Sequence, residues 1–274
     1  MVFADRLWKK LPSDHPAVYQ YLRLEKSFFQ FGSERRNFMI KTVNWIKQHQ
    51  ILSFFILVYA IAWTGMYLVY FIFPGNDVVE VLSATVILFS PALTAMLIAG
   101  IAEPHPQLEN SKPRWIAFIV SWFIAAPMMV LHARISLNLS SELAIIIFGT
   151  MAIFPAWILS SAYARTPGIR KLFSTILKPR GPAIWYLVIF LIFPGFILLS
   201  FYITPMLGGE SQFFLADLGM TGAALFLFLE FSNGFLSTGG INEESGWRGF
   251  ALPHLQARYP VIISAMIVWF FWVF

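Results

Sequence analysis

The sequence predicts an all-α fold, a polytopic transmembrane helical bundle, and three observations predict it. Of the 274 residues, 58% are hydrophobic and only 12% charged. A water-facing domain carries roughly a quarter charged residues, so this chain has too little polar surface to cover a soluble globule. Its apolar residues gather into runs of the length that crosses a bilayer, about 20 residues. Its basic residues avoid those runs and fall in the gaps between them.

Residues 1–50 form a basic arm that holds nine of the 19 Lys and Arg. No apolar core follows its initial charges, so it does not read as a signal peptide. Tyr19–Arg23 and Phe28–Phe31, with basic residues between them, suit a helix lying on anionic lipid. A loosely ordered cytosolic arm is the alternative. Six full spans are expected within 51–238: Ile51–Phe73, Ser83–Ala102, Trp115–Leu131, Leu143–Tyr163, Ala183–Ile203 and Thr221–Leu236. The remainder, 239–274, holds a polar string and a seventh apolar run from Val261 to Phe274. Its fourteen residues are too few to cross, which predicts a truncated seventh span.

Turn formers punctuate the gaps: Pro74-Gly75, Pro104, Pro106, Pro113, Pro167-Gly168, Pro179, Pro182 and Gly208-Gly209. Pro91, Pro127, Pro155 and Pro194 fall inside spans, where kinks are tolerated if neighbours satisfy the freed carbonyls. Trp8, Trp45, Trp115 and Trp185 flank apolar runs, as interface anchors do.

The gaps also fix an orientation. Eighteen of the 19 Lys and Arg lie in alternate gaps and one, Arg134, in the others. The positive-inside rule then puts the N-terminus and the connection carrying Arg248 in the cytosol. The expected setting is a bacterial plasma membrane. The same distribution argues against nucleic-acid binding despite a net charge of +5, because the charges mark span ends and make no basic face. With no cysteine, disulfides, Cys-ligated zinc and thiol catalysis are excluded.

An ionisable side chain at membrane depth is costly and so a functional candidate by default. Glu230, Glu243, Glu244 and Arg248 qualify, and the last three share the string Asn242-Glu243-Glu244-Ser245-Gly246-Trp247-Arg248-Gly249. As a helix start, Asn242 is a suitable N-cap after the flexible Gly239-Gly240. Two acids then occupy the first turn, where the helix dipole favours them. Glu244 and Arg248 are four apart and can pair. Glu243 is turned about 100° from Glu244 and has no local partner, which leaves it free to act on water as a general base. The plainer reading is ordinary helix capping plus one ion pair. The spacing leaves both open, although glycines at 246 and 249 would let another backbone approach closely.

The run from Glu243 to Pro253, followed by Leu255, Gln256 and Arg258, resembles the first motif of the CPBP family. These are intramembrane proteases typified by CAAX prenyl endopeptidases and by bacterial Abi and bacteriocin-processing proteins. The match is EExxxR in a GWRG-F-LP context, and it covers Gly239 to about Phe274. The resemblance implies peptide-bond hydrolysis of a peptide or protein substrate at the bilayer, with Glu243 as base and Glu244 and Arg248 supporting it. A His from a second motif would help activate water, and a His with an Asn or Asp from a third would stabilise the oxyanion. Glutamate-dependent and metal-dependent chemistry stay open, a divalent metal such as zinc being the cofactor that the second would need.

The run Val268–Phe274 resembles the approach to the second motif, and no His follows before the sequence stops. The five histidines present do not substitute: His15, His49 and His105 lie in the arm and a gap, His132 at the far end of a span. His254 reads as a polar filler at a helix end. The expectation is a chain inactive alone, within a longer protein that is active. Glu230 reads as a buried acid bonded to Ser232 or Asn233, or held protonated, with a second cavity acid as the functional alternative. A non-catalytic binding or immunity protein on the same scaffold is the competing function. A solute transporter would need paired broken helices that the sequence lacks.

Overall fold

The segments that the sequence marks as spans fold as helices. The computed structural model describes residues 34–103, 112–175, 178, 181–209 and 219–273, with no strand among them. The surface helix expected around Tyr19–Phe31, together with Trp8, His15 and His105, lies outside the described residues. The chain divides into two units, Met1–Gln50 and Ile51–Phe274. In the first, residues 34–48 form helix α1, which carries Arg35, Arg36, Lys41 and Lys47 beside exposed Phe38, Met39, Ile40 and Trp45.

In the second unit, α2 (Gln50–Tyr67) continues through a π-helical turn, Leu68–Ile72. Gly75, at φ +75°, reverses the chain, and the Asn76 side chain caps α3 (Asp77–Ala102) by accepting from Val79 N. Next come α4 (Lys112–Ile135), α5 (Ser141–Met151) and α6 (Ile153–Ser160, with a 3-10 turn to Tyr163). The span expected over Leu143–Tyr163, with Pro155 inside it, is interrupted at Ala152. Pro155 has no N–H to offer the carbonyl of Met151, four residues earlier, so the ladder lapses there.

The short α7 (Pro167–Ser174) follows, then α8 (Ala183–Met206), α9 (Gly219–Leu236), a compound helix α10 over Glu244–Gln256, and α11 (Val261–Val273). Among the described residues, five helical segments are long and apolar enough to cross a membrane: Gln50–Ile72, Val79–Ala102, Lys112–Ile135, Ser141–Tyr163 and Gly219–Leu236. The segment expected as the fifth of six spans also forms one helix, α8, of 24 residues without a charge.

Helix α3 is the centre of this unit. Of its most apolar stretch 56% is buried, against 17–33% in the other four, so those four turn most of their apolar surface outward, toward where lipid would lie. The core joins Phe89, Ala92 and Met96 of α3 to Ala125, Ala126 and Met129 of α4, with Ile158, Phe173, Leu236 and Ile241. Its many alanines suit helices that must approach closely without a hydrophobic drive from water. Among the described glycines, the tightest approach is at Gly168 in α7, where a Cβ would stand 2.2 Å from the Ala99 carbonyl oxygen.

Candidate functional site

Helix α9 ends in a turn that carries the chain into the polar string. Ser237 and Thr238 both donate their N–H to the Asn233 carbonyl, Gly240 to Gly234 and Ile241 to Phe235, so the last carbonyls of α9 find partners. Gly240 is required for this closure: a Cβ there would lie 2.7 Å from the Phe235 oxygen and 2.8 Å from its Cα.

Asn242 does not cap α10, contrary to the expectation from its type. It is fully buried, its Nδ2 donates back to the Ser237 carbonyl at 2.7 Å, and the N-cap position falls to Glu243 without a side-chain bond. Its backbone carbonyl instead accepts the N–H of Ala92 at 3.0 Å, which ties the string to the middle of α3. The tie sits beside Pro91. Pro91 leaves the Ile87 carbonyl without its helical donor, and Ser90 Oγ donates to that carbonyl at 2.8 Å. Gly246 packs against Pro91 itself, so the expected close backbone approach is realised there.

From Glu244 the helix makes one α-turn, widens to a π-turn over Trp247–Ala251, and resumes over Leu252–Gln256. Single π-turns inside helices occur often at functional sites. Glu244 and Arg248 form the ion pair that their spacing predicts, on the exposed side. Glu243 goes elsewhere. Its Oε2 accepts the indole N–H of Trp272 on α11 at 2.9 Å. The expectation that it lacks a partner is therefore corrected: no partner exists nearby in sequence, and the fold supplies one 29 residues away.

A cavity of about 210 Å³ opens between α10 and α11, lined by Glu244, Arg248, Trp247, Trp269 and Trp272 among others. Aromatic packing holds its walls. Phe54 meets Trp247 edge-on at 5.2 Å between centroids, Phe55 stacks on Phe271 at 3.9 Å, and Tyr59 donates its hydroxyl to the Phe271 carbonyl at 2.6 Å. Helix α2 thus clamps α10 and α11 together. His254 bonds through Nδ1 to the Phe250 carbonyl of its own helix at 2.7 Å, as a polar filler does.

Glu230 is not bonded to Ser232 or Asn233. Its Oε1 accepts from His132 Nε2 on α4 at 3.0 Å and from Ser136 Oγ, in the turn just after α4, at 2.7 Å, while Ser232 bonds the Phe228 carbonyl. His132 is 6% exposed and its Nδ1 has no partner. Sequence reasoning missed Trp272, His132 and Ser136 as partners. The usable signals were an indole, a donor-only group, in an otherwise apolar run, and a histidine at the end of the third expected span to match the lone acid of the sixth.

A metal centre is a poor fit to these residues. No group of three or more His, Cys, Asp and Glu that could hold an ion occurs among the described residues. The two motif carboxylates already receive an indole N–H and a guanidinium, donors that compete with a cation. The described residues therefore do not fit a divalent ion such as zinc.

No family model matches the chain, and no solved structure matches it. Among curated proteins it is similar to CAAX prenyl protease 2 of Methanococcus maripaludis, 33% identical over 85 residues. That stretch is 31% of this chain and 30% of the relative, so the likeness to a protease is partial on both sides.

Proposed function

We propose that this chain carries the first motif of a CPBP-type intramembrane endopeptidase, with Glu243 as the general base. One observation carries the reading: the adjacent carboxylates of Glu243 and Glu244 are turned to different partners. Glu244 is tied to Arg248 and fixes the helix. Glu243 is oriented through one oxygen by the Trp272 indole, and its other oxygen takes a proton from water as that water adds to a peptide carbonyl. The proton then passes to the departing amine, so the carboxylate is regenerated and the amide is cleaved to acid and amine. An oriented base of this kind is the usual partner of an activated nucleophile. The partial likeness to a named protease supports the same class. The proposal places α8 as a sixth span, the N-terminus and α10 on the cytosolic side, and a membrane-proximal peptide as substrate.

The test uses protein expressed from the whole open reading frame and reconstituted in liposomes with a membrane-tethered reporter peptide. Glu243→Gln abolishes cleavage and His254→Ala retains it. Cleavage unaffected by Glu243→Gln rejects the proposal. The non-catalytic reading has one observation in its favour, that both motif carboxylates already have protein partners. It requires that no reporter be cut by the wild-type protein.

A further inference from the structure

None of the residues of α1, 34–48, is buried, and only Ile46 is half-buried. Its large apolar side chains stand open: Phe38 is 70% exposed, Met39 54% and Ile40 51%, with Val43 and Trp45 beside them. A helix of this length is marginal in water without tertiary packing, and the protein buries none of it. Exposed apolar side chains gathered on one short helix mark a surface that something else covers.

The arrangement around the helix says what. At about 100° per residue, Met39, Val43 and Ile46 fall in one narrow stripe. Arg35 borders it on one side, Arg36 and Lys47 on the other, and all three are exposed. Phe38 and Trp45, seven residues apart, lie together beyond Arg35. The opposite side carries Asn37, Lys41, Asn44 and Gln48 and no apolar residue. Cations at the rim of an apolar stripe fit a lipid–water boundary. There long basic side chains lay their stems along acyl chains and raise their charges to the headgroups.

Two further observations favour lipid over a protein groove. Residues 1–50 hold nine Lys and Arg against four Asp and Glu, so this arm carries all of the chain's net charge of +5. Basic residues beside a span are drawn to anionic leaflets. Only His49 separates the end of α1 from Gln50, where the first membrane-length segment starts, so chain connectivity keeps α1 within reach of a headgroup layer. Trp45 stacks on that His49 at 5.1 Å between centroids, an aromatic pair where interface anchors gather.

We infer that α1 is an anchor for anionic lipid. Its Met39–Val43–Ile46 stripe enters the interface beside the first span, and Arg35, Arg36 and Lys47 hold the phosphodiesters of neighbouring lipids. The anchor is distinct from Tyr19–Arg23 and Phe28–Phe31, which precede it in sequence, and it does not depend on the protease reading.

The chain has no cysteine, so single spin labels report one site each. Met39→Cys lies in the stripe and Asn37→Cys about 160° round the helix, and both positions are exposed. The labelled whole chain is reconstituted in phosphatidylcholine vesicles with or without phosphatidylglycerol. Electron paramagnetic resonance reads access to oxygen and to an aqueous nickel chelate. With phosphatidylglycerol, the label at 39 meets oxygen and is shielded from nickel, and the label at 37 shows the reverse. Omitting phosphatidylglycerol, or making Arg35→Gln, Arg36→Gln and Lys47→Gln together, raises nickel access at 39 roughly tenfold. Salt at about 1 M does the same, because charges are then screened within about 3 Å. That arm leaves the basic residues in place, so a triple variant that fails to fold leaves the test intact. Equal nickel access at 37 and 39 with phosphatidylglycerol, the result expected if the stripe awaits a protein partner, overturns the inference. Shielding at 39 that is unchanged by salt and by omitting phosphatidylglycerol overturns it too, since charge then plays no part.

Discussion

Gly246 lies against Pro91 so closely that a Cβ on residue 246 would stand 2.5 Å from the proline Cβ and 2.6 Å from its carbonyl carbon and oxygen. Those neighbours are ring and backbone, so they cannot swing away. Gly246→Ala is expected to destabilise the protein by about 1–3 kcal/mol, the usual cost of overpacking. At Gly249 the nearest atoms to an added Cβ are 3.6 Å away, the Glu244 oxygen and Leu172 Cδ1, and Gly249→Ala should melt like wild type. Thermal unfolding in detergent compares the two, and equal losses would show that the Pro91 contact is not what matters.

The same proline depends on Ser90. Because Ser90 Oγ donates to the Ile87 carbonyl that Pro91 leaves unpaired, Ser90→Ala should cost about 1 kcal/mol. In a Pro91→Ala background the restored backbone N–H can serve that carbonyl. The serine change then costs little, and the two substitutions couple by at least about 0.5 kcal/mol. A double-mutant cycle on unfolding free energy measures this, and strict additivity would remove the compensation argument.

Much of this architecture is legible in sequence because it is local or compositional. Span positions follow from where Arg and Lys stop, and the Glu244–Arg248 pair follows from one helical turn. The break at Ala152 is also local, since it follows from the missing N–H of Pro155, a proline that the sequence places inside a span. What the sequence does not reveal is long-range. Asn242 has the chemistry of a cap, but burial directs its amide to Ser237 and its carbonyl to α3. Glu243 looks unpaired and Glu230 looks bonded within its own helix because their partners, Trp272 and His132, are brought in by tertiary packing from 29 and 98 residues away.

The His132–Glu230 pair joins α4 to α9, and breaking it from one side leaves the other half exposed to loss. Glu230→Ala removes the acceptor for both His132 Nε2 and Ser136, with His132 Nδ1 already unpartnered and buried. The expected cost is about 1–3 kcal/mol. Replacing both His132 and Glu230 by Leu should recover most of it, since the buried imidazole then has no lost partner and Glu230 is only half-buried. Unfolding of the single and double variants in detergent checks this. A double variant as unstable as the sum of its singles would mean the two residues act separately.

Trp272→Phe isolates the indole N–H that orients Glu243. The ring stays, and Trp272 is more than half exposed, so the melting temperature should match wild type within error. If Glu243 is the base, losing the exposed N–H that orients it should lower kcat roughly tenfold. Adding Trp272→Phe to Glu243→Gln should then lower the rate no further, since a donor has nothing to orient once the carboxylate is gone. Reporter cleavage in liposomes gives all three rates. An unchanged kcat in the single variant would mean that Trp272 only packs, and that the geometry of Glu243 is set by the backbone turn at Gly239 and Gly240 instead.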